Sequence, residues 1–124
     1  MIKALLLLDY DDHSPPPLLV IRAVLMRAGY KVVEARKKPS RSGKGWHCLL
    51  TLDREVDTAM ETVALQAVCG SDQFREACNI TRARAVDSLP DGIDKSWLAR
   101  WNVLYGKGGT DKLCRGENWD SSKD

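Results

Sequence analysis

The stretch from Ile2 to Leu8 is apolar apart from Lys3, and it stops at once in Asp9-Tyr10-Asp11-Asp12. A run of that length with an abrupt acidic end predicts a central β-strand buried on both faces. Such a strand cannot cover itself. The rest of the chain has to supply other strands to pair with it and helices to pack on it. With 124 residues, 44% hydrophobic and 29% charged, the chain is large enough for one small globular domain with a modest core.

The covering elements can be read in order. Ser14 and Pro15 to Pro17 predict a turn and a helix start, since a missing proline N–H costs nothing in the first helical turn. Leu18, Ile21, Leu25 and Ala28 follow at helical spacing, and Gly29 is a natural stop. Tyr30 to Ala35, with Val32-Val33, predicts a second strand. Residues 37–45 form a basic loop, and Trp46 to Leu52 predicts a third strand antiparallel to the second. Asp53 is placed to cap a helix whose buried stripe is Val56, Met60, Val63 and Ala67 and which ends at Gly70. Ser71 or Asp72 caps a further helix, with Phe74, Ala77, Cys78 and Thr81 expected inward. From Ile93 to Tyr105, Trp97, Leu98, Trp101 and Leu104 fit one face of a short helix. From Gly106 the composition suits a flexible tail, so the chain divides into a domain over 1–105 and a tail over 106–124.

The order strand, helix, strand, strand, helix predicts an α/β fold of the α+β kind. The expected architecture is a ferredoxin-like or RNA-recognition-like sandwich, an antiparallel sheet with helices on one face. One more strand is needed. Residues 80–88 and the C-terminal third are the two places it can come from. The four cysteines, Cys48, Cys69, Cys78 and Cys114, contain no C-x-x-C pair, which argues against a zinc knuckle. The first three sit in apolar patterns and are expected to be buried free thiols, as in an intracellular, reducing compartment. No stretch is long enough to cross a membrane. The net charge of +2 is too small to argue nucleic-acid binding by itself.

Two constellations carry chemistry. Asp9 and Asp11 stand one residue apart at a strand end, where period-two geometry puts both carboxylates on one face. Two hard oxygen ligands suit Mg²⁺ or Mn²⁺, which take one or two carboxylates and complete their shells with substrate phosphates. The same pair also suits a plain polar turn. The second constellation is Arg41-Ser42-Gly43-Lys44-Gly45-Trp46-His47. Its glycines let a backbone approach a ligand with N–H groups exposed. Arg41 and Lys44 add positive charge, and His47 opens the following strand as a donor to a phosphate oxygen. It is not a Walker A loop, because Gly45 follows Lys44 where Ser or Thr belongs. Lys44 and His47 are expected to serve ligand affinity and to contribute little to stability.

An acidic D-x-D closing a first strand, then S-G-x-G-x-H opening a later one, resembles the catalytic core of the archaeo-eukaryotic primase and primase-polymerase superfamily. The residues that carry the likeness are Asp9-Tyr10-Asp11 and Ser42-Gly43-Lys44-Gly45-Trp46-His47, and it covers roughly residues 4–52. That family's RNA-recognition-like palm agrees with the element order. The resemblance implies that Asp9 and Asp11 bind Mg²⁺ or Mn²⁺ and form the catalytic set with His47. It implies that Arg41, Ser42, Lys44 and His47 contact the incoming nucleotide. The family's third acidic residue maps to Asp72 or to Asp87, with Asp53 ranked last. Asp72, Arg75, Asn79 and Arg82 would line one helical face, either as a site or as an ordinary solvated face. The implied activity is metal-dependent nucleotidyl transfer in DNA replication. Its partners would be nucleoside triphosphates, a single-stranded nucleic-acid template and other replication proteins. A non-catalytic nucleic-acid-binding module is the first alternative, although the only Phe, Phe74, falls in a predicted helix and not on a base-stacking sheet face. A rolling-circle initiator ranks third, because His13 and His47 do not form a histidine pair on one strand.

Overall fold

The computed structural model describes residues 4–11, 14–39, 44–90, 102, 105–106, 109–110 and 120–121. The first apolar run forms β1 (Leu5–Tyr10), followed by α1 (Leu18–Arg27), β2 (Val32–Pro39) and β3 (Trp46–Leu52). Two helices follow, α2 (Ala59–Val68) and α3 (Gln73–Asp87), and then three two-residue strands, β4 (Tyr105–Gly106), β5 (Gly109–Thr110) and β6 (Asp120–Ser121). The main sheet runs β1-β3-β2-β6, with every described pairing antiparallel. The protein is therefore α+β, compatible with a ferredoxin-like sandwich.

Burial on both faces of β1 is as the apolar run requires. Leu6, Leu8 and Tyr10 join Cys48, Leu50 and Leu52 of β3 in the main core, under Leu18, Ile21 and Leu25 of α1 and Leu65 and Cys69 at the end of α2. Leu7 is buried on the opposite face against Leu5 and Leu49. Each buried leucine contributes about 1.5–3 kcal/mol of transfer free energy, so this strand anchors the fold. One expectation changes. β1 neighbours β3 but lies at the edge of the described sheet, not at its centre. Residues 80–88 supply no strand beside it, because they continue α3.

Helix ends explain how the chain reaches that edge. Gly29 takes φ +92° and Gly70 φ +85°, conformations that cost a Cβ-bearing residue strain. After α1, Tyr30 N–H reaches Leu25 O and Gly29 N–H reaches Met26 O; after α2, Ser71 and Gly70 do the same to Gln66 and Ala67. Both are Schellman endings. The second drops Ser71 and Asp72 beside β1, where Asp72 N–H donates to Asp9 O at 2.6 Å. The start of α2 is capped by Thr58, whose side chain accepts from Glu61 N–H. Asp53 does not cap it; that carboxylate accepts instead from Lys31 N–H.

Helix α3 turns the expected face outward. Phe74, Ala77, Cys78 and Thr81 are exposed, Phe74 at 73%. Arg75, Glu76 and Asn79 are buried at 5%, 3% and 0%. The reason is the neighbour: the first half of α3 meets the polar edge of β1, which needs donors and acceptors that an apolar stripe cannot offer. The second half returns to the usual rule, with Ala83 and Val86 packed on Ala59 and Val63 of α2. Cys48 and Cys69 are buried thiols as expected, whereas Cys78 is exposed. Among the described residues no helix is long and apolar enough to cross a membrane.

Gly45 is needed for close approach. A Cβ placed there would lie 2.1 Å from Tyr10 O and 3.1 Å from Asp11 Cα, all backbone atoms with nowhere to go. Gly45→Ala is therefore expected to cost about 2–4 kcal/mol. Gly29→Ala, strained in φ but facing only a guanidinium tip, should cost about 1 kcal/mol. Urea titration of the two variants checks this, and equal losses would contradict the close approach.

Candidate functional site

Antiparallel register brings the two sequence constellations together. Asp9 stands opposite His47, and His47 stands opposite Lys38, so the three form one row across β1, β3 and β2. Asp9 turns its N–H and C=O away from β3, toward Ser71 and Asp72. Asp9 and His47 are thus a non-hydrogen-bonded cross-strand pair, the kind in which side chains come closest. His47 Nε2 lies 3.4 Å from Asp9 Oδ1. The next row on the same face, toward the chain start, is Leu7, Leu49 and Arg36, with Arg36 paired to Glu34 at 2.6 Å. Beyond the strand end, Gly45 packs on Tyr10 and Asp11, and Lys44 precedes it in the chain.

Exposure divides the row. The Asp9 side chain keeps 24% of its surface, while that of His47 keeps 4%. Asp11 and Lys44 are exposed. The expectation that His47 contributes little to stability changes: its ring is buried, with Nε2 turned to the Asp9 carboxylate. It sits in β3, paired on both sides by β1 and β2. Arg41 and Ser42 lie outside the described residues.

The outer edge of Asp9 is held by a polar cluster that the sequence pattern did not announce. Ser71 Oγ accepts from Asp9 N–H at 3.0 Å and donates to Glu76 Oε2 at 2.7 Å. Arg75 Nη1 donates to Leu7 O at 2.7 Å and also to Glu76 Oε2. Gln66 Oε1 accepts from Leu7 N–H at 2.9 Å, and Gln66 Nε2 donates to Glu76 Oε1 at 2.8 Å. Asn102 closes the cluster. Its Oδ1 accepts from Arg75 Nη2 at 2.7 Å and Gln66 Nε2 at 3.1 Å, and its Nδ2 donates to Gln66 Oε1 at 2.6 Å. The only trace of this in the sequence is the Arg75/Asn79/Arg82 spacing, which suits a solvated face equally well. Arg82 is half-buried and donates to Asn79 Oδ1 at 3.3 Å.

The two candidates for a third acid part company. Asp72 lies against Asp9 through its backbone, and its carboxylate caps α3 at Arg75 N–H, 2.9 Å away. Asp87 lies fifteen residues along the same helix, about 22 Å away at 1.5 Å per residue. There its two oxygens accept from Ala59 and Met60 N–H at 2.8 and 2.9 Å, completing the cap of α2. Asp87 is therefore a link between helices, remote from Asp9. Among the described residues no three His, Cys, Asp or Glu side chains are grouped to cage a metal ion.

Burial also sets the ionisation of this region. It lowers the Arg75 guanidinium from its usual range, against the opposing pull of Glu76, Asp9 and Asp72. It raises the phenol of Tyr10, whose hydroxyl donates to Cys69 O at 2.7 Å. The Cys69 thiol is pushed up to about 12. Compared with known proteins, the chain matches no family model, no curated protein and no solved structure.

Two outcomes are expected. His47→Ala should lower stability by about 1–3 kcal/mol, because it empties a buried position, whereas Lys44→Ala should stay within about 0.5 kcal/mol; thermal melts of both variants check this. The second concerns alkali. An unfolded chain releases the Cys69 and Tyr10 protons from about pH 8.5 to 10, while the folded protein holds them to higher pH. The unfolded state then binds fewer protons, so stability, complete below about pH 8.5, falls as pH rises toward 12. Tyr10→Phe should flatten that decline in denaturant titrations between pH 8 and 11; an unchanged slope would contradict a buried phenol.

Proposed function

We propose that the end of the β1–β3 ladder is a metal–phosphate site for nucleotidyl transfer on a nucleic-acid template, as in a primase-polymerase core working in DNA replication inside the cell. The observation that carries the reading is the convergence of the acidic strand end with the glycine-lysine hairpin: Asp9 faces His47, and Gly45 packs on Asp11. Asp9 and Asp11 would hold Mg²⁺ or Mn²⁺. Two carboxylates, with no third grouped beside them among the described residues, fit an ion that completes its shell with triphosphate oxygens better than they fit a resident ion. Such an ion supplies charge neutralisation to the attacking and leaving oxygens.

The chain's own groups supply positioning. His47, buried beside Asp9, orients that carboxylate. Lys44, with Arg41 and Ser42, would draw and align the triphosphate, so that the incoming α-phosphate is held near the primer hydroxyl. Lys38, in one row with His47, extends the positive surface onto β2 in a direction a template backbone can follow, with Arg36 on the same face already paired to Glu34, and that contact should weaken as salt rises. Trp46 is half-buried, with Lys37 Nζ 5.5 Å from its ring centre.

A second reading, a nucleic-acid-binding module without catalysis, draws on one observation: Asp72 and Asp87 both serve as helix caps. The two readings separate in one series of measurements. Calorimetric titration of Mn²⁺ should show weak binding alone and binding tighter by on the order of tenfold with a nucleoside triphosphate present. Asp9→Ala/Asp11→Ala should abolish the gain. Incubation with single-stranded template, labelled nucleotides and Mn²⁺ should yield extended product. Nucleotide binding without product on any template would leave the module reading, and product that survives loss of both aspartates would place the active site elsewhere.

A further inference from the structure

Asn102 stands outside the two constellations that suggest function, yet it is the most heavily bonded side chain from the chain beyond Pro90 among the described residues. It is 9% exposed. Its amide forms a two-way pair with Gln66, donating to Oε1 at 2.6 Å and accepting from Nε2 at 3.1 Å. Its oxygen also takes Arg75 Nη2 at 2.7 Å and Asn79 Nδ2 at 3.4 Å. The orientation of each amide is set by neighbours that have no choice of role. Leu7 N–H can only donate, so Gln66 must present Oε1 to it. Arg75 can only donate, so Asn102 must present Oδ1.

These contacts lead to Asp9 by two short routes. Through Gln66, Asn102 holds the amide that accepts Leu7 N–H. Through Arg75, it fixes the guanidinium that binds Leu7 O and orients Glu76, which in turn holds Ser71 against Asp9 N–H. We propose that Asn102 is a positioning residue for Asp9, acting through Gln66 and Arg75 on the outer edge of β1. Its relevance to a ligand rests on the metal–phosphate reading of Asp9; its mechanical action on β1 does not. Without Asn102, Gln66 and Arg75 each lose a buried partner, and the end of β1 at Asp9 can shift relative to β3. With it, the Asp9 carboxylate stays where the hairpin and Asp11 can share a ligand with it.

The test uses the full chain and two variants. Amide hydrogen exchange at Leu7 and Asp9 reports the edge directly, because both amides are held by side chains and not by a strand. Leu52 N–H on Ala4 O and Tyr30 N–H on Leu25 O serve as references. In Asn102→Ala, Leu7 and Asp9 should exchange about tenfold faster, as expected for loss of one bond to a charged or buried partner, with Leu52 and Tyr30 unchanged. In Asn102→Asp the acceptor for Arg75 remains and the donor to Gln66 is gone, so Leu7 should speed up while Asp9 stays protected. Mn²⁺–ATP affinity should fall about tenfold in Asn102→Ala and should not fall in Gly29→Ala, a destabilised control remote from the edge. Unchanged exchange at Leu7 and Asp9, equal acceleration at all four amides, or failure of Asn102→Ala to fold would each overturn the proposal. A wild-type chain that binds no Mn²⁺–ATP would remove the metal–phosphate reading, and the exchange pattern alone would then decide the positioning role.

Discussion

A strand at the edge of a sheet leaves every second N–H and C=O without a ladder partner, and in β1 those groups include the ones of Leu7 and Asp9. Leu7 is buried and Asp9 only partly exposed, so water cannot be counted on to satisfy them. Four unmet groups at about 1–3 kcal/mol each would consume much of the roughly 5–15 kcal/mol by which a domain is stable. The structure answers with Gln66 Oε1, Arg75 Nη1, Ser71 Oγ and Asp72 N–H, one partner for each group. Side chains and one turn thus do what a further strand would do. The Schellman ending of α2, the Asp72 cap and the polar start of α3 all follow from the need to bring these partners to one line.

That constraint explains where pattern reading succeeds and where it fails. The strand at the chain start, the helix stops at Gly29 and Gly70, a cap at Ser71 or Asp72 and the antiparallel β2–β3 pair are legible because each rests on local chemistry: an apolar run, a positive φ, a side-chain acceptor, a basic turn. The inward face of α3 is not legible. Helical periodicity assigns apolar residues to the inside on the assumption that the neighbour is apolar. Here the neighbour is a strand edge, so Arg75, Glu76 and Asn79 go in and Phe74 and Cys78 go out. Nothing in residues 73–82 alone distinguishes this from a solvated stripe. The distinction lies about sixty residues away, in the unpaired alternate groups of β1.

The candidate site shows the same split. Asp9, Asp11, Lys44 and His47 were legible as chemistry, and the register of β1 on β3 brings them to one end of the ladder. The glycine beside them has a second meaning that spacing hides. Gly45 lies against the Tyr10 carbonyl at a distance no Cβ tolerates, so the residue that looked suited to a ligand's approach is required for the approach of β1 itself. The histidine is also changed in character. On an exposed hairpin it would be a donor in its own right. Buried, it faces the Asp9 carboxylate at 3.4 Å, while Asp11 and Lys44 are the exposed members of the set.

The cluster on the β1 edge also carries an energetic question. Burying an Arg–Glu pair costs several kcal/mol per ion after relaxation, and well-packed apolar groups of the same volume often serve stability as well or better. The lowered guanidinium of Arg75 shows desolvation outweighing its three acidic neighbours. Stability alone therefore does not account for the pair. Geometry does. An apolar substitute for Arg75 would take the donor from Leu7 O and leave Asn102 Oδ1 to the longer contacts from Gln66 and Asn79, and an apolar Glu76 would release both Ser71 and Gln66. The penalty falls on a cluster in which each group fixes the direction of the next, and the line of directions ends at the backbone of Asp9. A strand pinned on one side by the β3 ladder and on the other by a charged, fully directed network has little freedom to slide, and the carboxylate it carries inherits that restriction.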